Sequence, residues 1–189
     1  MNLIQTVAPI NEPISLDEAK IFMHILEDDE DELITSMIVA AREYAENYTN
    51  RQLVTATFEL TNYCLYSGFI LPKAPFQSIS KIEYIDLNGN TQIMSTDDYY
   101  DYQDNGISKL WINVLPTTKE DMRAFKITFI SGYVEVPSSI KTYMKMLVST
   151  LYENREQYVV GVSINTNANP MIDKMLDFYR VRAVWELDT

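Results

Sequence analysis

The sequence predicts an α+β fold, with two N-terminal helices, a central antiparallel β section and two C-terminal helices. Three observations carry this prediction. Apolar residues recur at helical spacing before residue 50 and again after Pro137. Between Gln52 and Gly132 the pattern changes to alternation, with β-branched residues and an Asn-Gly turn signal. No linker rich in Pro, Gly or Ser interrupts the 189 residues, and there is no internal repeat. The chain therefore reads as one domain, 1–189, with a helical pair at 15–50 and a β section at 52–132. A second helical pair at 138–180 and a tail at 181–189 complete it.

The chain opens with extended or irregular residues to Pro13. Ser15 then has the character of an N-cap, and Glu18 three residues later completes a capping box. Leu16, Ala19, Ile21, Phe22, Ile25 and Leu26 supply an apolar stripe, which predicts a helix over 15–26 with His24 inside it. The acidic run Glu27 to Glu32 begins a second helix, where carboxylates meet the partial positive charge of free N–H groups. Leu33, Ile34, Met37, Ile38, Ala41, Tyr44, Ala45 and Tyr48 carry that helix to Thr49.

Val54, Ala56, Phe58 and Leu60 alternate with polar partners, as in a half-buried strand. Further strands are expected at 68–71, 79–86, 91–95, 107–113 and 124–131. Asn88-Gly89 predicts a two-residue hairpin turn. After Pro137, Ile140, Met144, Leu147, Val148, Leu151 and Tyr152 define a helix face, with Ser138 or Ser139 as cap. Gln157 to Asn169 reads as an exposed, mobile loop. Asn169-Pro170 then starts a short helix through Ile172, Met175, Leu176 and Tyr179.

Composition excludes more than it assigns. A net charge of −12 rules out a broad basic face for gripping phosphates. It suits either simple solubility or an acidic wall past which DNA slides. No apolar run approaches the ~20 residues that span a bilayer, and no signal-peptide pattern opens the chain. The single cysteine, Cys64, has no partner for an internal disulfide and reads as a small, partly buried apolar residue. One histidine and five glycines without a phosphate-loop pattern leave no catalytic, cofactor or metal constellation. Asp86 to Asp97 imitates a calcium loop but places Thr91 where glycine is required and Asp97 where glutamate is required. Among thirteen tyrosines, Tyr99, Tyr100 and Tyr102 cluster between aspartates, which fits ordinary strand composition and an interface equally.

The ordered pieces resemble the head–tail connector, or adaptor, proteins of tailed bacteriophages. The resemblance rests on Ser15-Leu16-Asp17-Glu18-Ala19-Lys20, on the helix end Ala41 to Arg51 and on the strand Val54 to Leu60. It continues through Ser131-Gly132-Tyr133, Tyr152-Glu153-Asn154-Arg155-Glu156 and the closing Tyr179-Arg180. It implies a non-enzymatic virion protein without cofactor that forms a ring, usually twelve-fold, between portal and tail. Implied partners are the portal protein, a stopper or tail-completion protein and further copies of the chain. DNA would pass through the channel without specific binding and no membrane is involved. The implied location is the head–tail junction of the virion, reached through the host cytoplasm during assembly.

Tyr152, Glu153, Arg155, Glu156 and Tyr158 form the first candidate interface group, with Tyr179, Arg180 and Trp185 as the second. Aromatic anchors ringed by rim ion pairs are the usual composition of such contacts. An internal helix-end salt bridge is the plainer reading of Glu153, Arg155 and Glu156. The competing function is an acidic cytosolic binding module or a DNA mimic. A mimic needs carboxylates in phosphate-like rows, whereas these are scattered over helices and turns.

Overall fold

The computed structural model describes residues 1–104, 107–119, 121, 123–154 and 170–181. Two compact units share the chain. One joins Met1–Ile10 to Val54–Val134, and the other joins Asn11–Leu53 to Glu135–Thr189.

The first unit holds eight strands among the described residues. They are β1 (Asn2–Val7), β2 (Ala56–Asn62), β3 (Phe69–Leu71), β4 (Phe76–Ile85), β5 (Thr91–Ile93), β6 (Tyr99–Asp104), β7 (Ile107–Ile112) and β8 (Phe125–Ser131). They form a five-stranded sheet in the order β1-β2-β8-β4-β5 and a three-stranded sheet in the order β3-β7-β6. Every ladder is antiparallel. Alternation decides which faces meet. Along β2 and β8 every second residue is buried, and Phe58 lies opposite Phe129 with ring centroids 5.7 Å apart. Leu71, Leu110 and Ile112 of the smaller sheet join Phe58, Leu60, Ile82, Ile127 and Phe129 in one apolar core. Each such side chain contributes about 1.5–3 kcal/mol by leaving water.

Several expectations change here. The expected antiparallel β section is divided between two sheets. Two strands, β1 and β6, fall outside the expected strand ranges; both are sheet edges whose exposed residues lack a clean apolar alternation. The hairpin between β4 and β5 has a three-residue loop. Gly89 N donates to Asp86 O at 3.0 Å and Asp86 N to Asn90 O at 2.9 Å, with Gly89 alone at positive φ (85°). Asp86 Oδ1 also accepts from the Asn88 and Asn90 amides, so the aspartate fixes the turn that Asn-Gly was expected to set.

The second unit contains α1 (Leu16–Met23), α2 (Asp31–Thr49), α3 (Ser138–Glu153) and α4 (Pro170–Asp177). The capping box forms as its spacing predicts. Ser15 Oγ accepts from Glu18 N at 3.1 Å, and Glu18 Oε2 accepts from Ser15 N at 2.9 Å. Ile34, Ile38, Ala41 and Ala45 of α2 bury one face, as do Ile140, Tyr143, Met144 and Val148 of α3. Leu176 of α4 is fully buried.

Helix α1 stops at Met23, three residues early, and His24 is its exposed left-handed C-cap (φ 58°) rather than an interior residue. Half of its expected apolar stripe is solvent-facing, with Ile21 74%, Phe22 42% and Leu26 88% exposed. Helix α2 starts at Asp31 rather than Glu27. Neither Ser138 nor Ser139 caps α3, whose N-cap is Pro137. The Ser139 hydroxyl is instead within 2.7 Å of the Tyr179 hydroxyl.

The early stop of α1 has a charged counterpart. Lys20, 8% exposed, donates to Asp28 at 2.5 Å and to Asp31 at 2.7 Å. The hydrogen bond to Asp28, then that to Asp31, raises the Lys20 pKa to about 12 against the cost of burial. The same bond lowers the Asp28 pKa. Lysine therefore stabilises the fold below its unfolded pKa, and that contribution is lost as pH rises through about 12. Aspartate stabilises above its unfolded pKa, and its contribution is lost as pH falls through the depressed folded value. The carboxyl of Asp28, followed by NMR, is expected to titrate below its ordinary 3.8 and to return there in Lys20→Met. An unchanged midpoint in that variant refutes the pairing.

Candidate interface at the end of the helical unit

Helix α2 ends at Thr49, and Asn50 enters the left-handed region (φ 53°) with its amide bonded to Glu46 O. This turn returns the chain beside Glu46, whose carboxylate is 9% exposed. Glu46 Oε1 accepts from Gln52 Nε2 at 2.7 Å and from Leu53 N at 2.9 Å. Its Oε2 accepts from Arg42 Nη1 at 2.8 Å, and Arg42 Nε reaches Glu12 at 2.8 Å. Burial opposes the Arg42 charge, but Glu46 and Glu12 outweigh it and hold its pKa above the ordinary value. The end of α2 is thus built on a saturated ionic knot.

On that base the last described residues are clamped. Val181 N donates to Thr49 O at 2.8 Å, and Asn50 Nδ2 donates to Val181 O at 3.1 Å. Arg51 Nε donates to the Tyr179 carbonyl, and the Tyr48 hydroxyl donates to Asp177 at 2.6 Å. Tyr143, Tyr44 and Tyr48 stack in sequence, with centroids 6.4 and 6.2 Å apart. The Arg180 guanidinium lies over the Tyr48 ring at 5.5 Å and closes the ladder.

The expected interface residues divide accordingly. Tyr152 is half-buried and donates its hydroxyl to Glu30, while Tyr179 is half-buried against Ser139. Glu153 and Arg180 are exposed. Arg155, Glu156, Tyr158 and Trp185 lie outside the described residues, as do the expected loop 157–169 and most of the tail. The sequence reading missed three contributors. Tyr44, 45% exposed, and Tyr48 share a helix face at i, i+4 spacing, a signal that helical periodicity absorbed into the core stripe. Phe178 is 92% exposed beside Arg180. Aromatic residues and arginine are enriched at protein–protein interfaces relative to the rest of the surface. Among the described residues no group of three or more His, Cys, Asp and Glu side chains is placed to hold a metal ion. None of their helices is long and apolar enough to cross a membrane.

No curated protein matches the chain. Solved structures do. A chain from the neck of an empty GTA (gene transfer agent) particle, computed with C6 symmetry, superimposes with a TM-score of 0.79 at 18% identity. The match covers 97% of this chain and 98% of that one. A chain of the native gene transfer agent virion gives 0.77 at 19% identity, again over 97% and 98%. A chain from the native particle's neck, computed with C12 symmetry, gives 0.70 at 17% identity over the same shares. Identities this low establish a common fold. The family model of phage gp6-like head-tail connector proteins matches residues 13–88, from the segment before α1 through β4 to the hairpin. Over residues 13–88 this chain is thus similar to the phage gp6-like head-tail connector proteins.

Proposed function

We propose that the chain is a structural, non-catalytic virion protein that assembles as a ring between the portal and the tail or stopper. In this reading both units work as one connector domain and extend the DNA channel during head completion. The observation that carries it is the fold match over 97% of the chain to neck proteins of symmetric particles, joined to the connector-family match. Self-association, portal and stopper contacts and a head–tail junction location follow from that reading. The net charge of −12 suits a channel wall that repels DNA and does not grip it. Several carboxylates a DNA mimic would need are consumed internally, namely Glu12 and Glu46 on Arg42 and Asp28 and Asp31 on Lys20.

The clamp on Val181 gives the experiment. Val181, the last described residue, is fixed at the end of α2, and we assign portal contact to the residues after Arg182, Trp185 included. Truncation after Arg182 keeps the Val181 contacts to Thr49 and Asn50 and is expected to leave the thermal transition nearly unchanged. Portal binding, followed by co-sedimentation, is expected to be lost. A truncated chain that unfolds makes the tail a core element, and one that binds portal fully makes it a bystander; either result overturns the assignment.

A further inference from the structure

The five-stranded sheet ends on two edges, β1 and β5, that share an unusual chemistry among the described residues. The chain is 22% charged, yet no charged side chain occurs from Met1 to Asn11, which holds β1, or from Leu87 to Thr96, which holds β5. Edge strands are commonly guarded against pairing by lysine, proline or an inward-pointing charge, and neither of these strands contains one. Both instead expose apolar side chains, with Ile4 53%, Val7 52% and Ile93 67% exposed.

The register places these three residues on one face. Ile4 lies opposite Glu59 and Val7 opposite Thr57, positions of β2 that alternate with buried Phe58 and Leu60. Ile93 lies opposite Glu83, and Glu83 opposite Lys126, which sits between buried Phe125 and Ile127. Lys126 is in turn opposite Thr61, on the same side of β2 as Glu59. The side away from the core therefore carries Ile4 and Val7 at one margin and Ile93 at the other. The charges between them are paired within the sheet, where Lys126 and Lys81 reach Glu83 at 3.0 and 3.1 Å.

Two neutral margins in a chain of net charge −12 are where identical copies can meet without opposing like charges. Because every ladder is antiparallel and the strands number five, β1 and β5 run in the same direction. A modest rotation between neighbouring copies then lays β5 of one parallel to β1 of the next, with Ile93 beside Ile4 on a continuous face. The lengths agree, since a register shift between Gln5 and Val7 confines the regular part of β1 to Asn2–Gln5, against Thr91–Ile93 in β5. Pairing of β1 with a second β1 would close as a two-fold dimer and leave β5 bare, whereas the β1–β5 contact covers both edges and repeats. The smaller sheet offers no equivalent. The approach to β6 is acidic, from Asp97 and Asp98 to Asp101, and β3 buries Phe69 and Leu71.

We propose that copies of the chain join by parallel pairing of β5 of one with β1 of the next, so that the five-stranded sheet continues from subunit to subunit. This rests on the ring reading above and adds the strands that make the ring contact.

Disulfide trapping in the full chain tests it, with Cys64→Ala removing the native thiol. Within one chain Ile4 and Ile93 stand four interstrand spacings apart, about 19 Å. A disulfide needs Cα atoms within about 7 Å, so Ile4→Cys with Ile93→Cys can close only between copies. Oxidation at high salt, with and without portal, is expected to give this variant a ladder of dimers, trimers and larger species on non-reducing gels. Each single variant is expected to stay monomeric, as is the collision control Ile93→Cys with Leu115→Cys, Leu115 being 56% exposed. Asn2→Cys with Ile93→Cys covers a contact shifted by two residues along the strand, and a ladder from either pair supports the proposal. Dimers from Ile4→Cys alone would show β1 pairing with itself and overturn it. Rings visible on the portal with no ladder from either pair would also overturn it while leaving the ring reading intact. Neither rings nor ladders would remove both.

Discussion

Gly132→Ala is expected to lose about 3–5 kcal/mol of stability, a large share of the ~5–15 kcal/mol typical of a folded domain. Gly132 sits at φ 132°, where an L-residue is strained, and the space for a methyl group is already occupied. A Cβ there would lie 2.5 Å from both C and O of Val54 and 2.6 Å from Thr55 N, all backbone atoms that cannot swing aside. The neighbourhood is tied on every side. Gly132 N donates to Pro75 O at 2.8 Å, Gln77 Nε2 donates to Gly132 O at 2.8 Å, and Tyr133 bridges Val54. Gly89→Ala is the control. Its φ is also positive at 85°, but nothing lies within 4 Å of the added carbon, so only the conformational cost of about 1–2 kcal/mol is expected. Urea unfolding of both variants measures the contrast. Equal losses would mean that the Val54–Tyr133 approach can open without penalty.

Glu46→Ala is expected to cost about 3–5 kcal/mol, the range for breaking a buried ion pair. The loss exceeds one salt bridge because the Arg42 guanidinium, the Gln52 side-chain amide and the Leu53 backbone amide lose an acceptor together. Glu46→Gln, whose amide oxygen still accepts, is expected to lose less. The double change Arg42→Met with Glu46→Leu separates two accounts. If the pair were only an ion pair, apolar replacement would be nearly neutral. Because Leu53 N remains buried without an acceptor, the double variant is expected to stay destabilised relative to the wild type in thermal melts. Full recovery would reduce Glu46 to a charge partner of Arg42.

What the sequence revealed follows the range of the physics involved. The capping box at Ser15 and Glu18, the long stripe of α2 and the alternation of β2 and β8 are local, so residue spacing alone displays them. Strand β6 was hidden because its tyrosines and aspartates acquire a strand's pattern only beside Ile112, Trp111 and Leu110 of β7. Lys20 reads as a surface residue until the turn after His24 delivers Asp28 and Asp31 to its ammonium group. Tyr152 and Tyr179 stood out as interface anchors, yet their hydroxyls meet Glu30 and Ser139, 122 and 40 residues away in the chain. Conversely Ile21 and Leu26, counted into an inward stripe, face solvent, Ile21 within α1 and Leu26 beyond its end at Met23. Helical periodicity specifies a face but not what covers it.

The central claim is that this chain closes into a ring on a portal, and electron microscopy of the purified chain mixed with its cognate portal tests it most directly. The −12 charge opposes crowding of identical copies, so isolated chains at low salt are expected to remain monomeric or weakly associated. Added portal, or salt that shortens the screening length below ~10 Å, is expected to promote assembly. The account predicts closed rings of twelve-fold symmetry seated coaxially on the portal, with an open central channel. Single copies scattered on the portal surface, or no binding at any salt concentration, would contradict it.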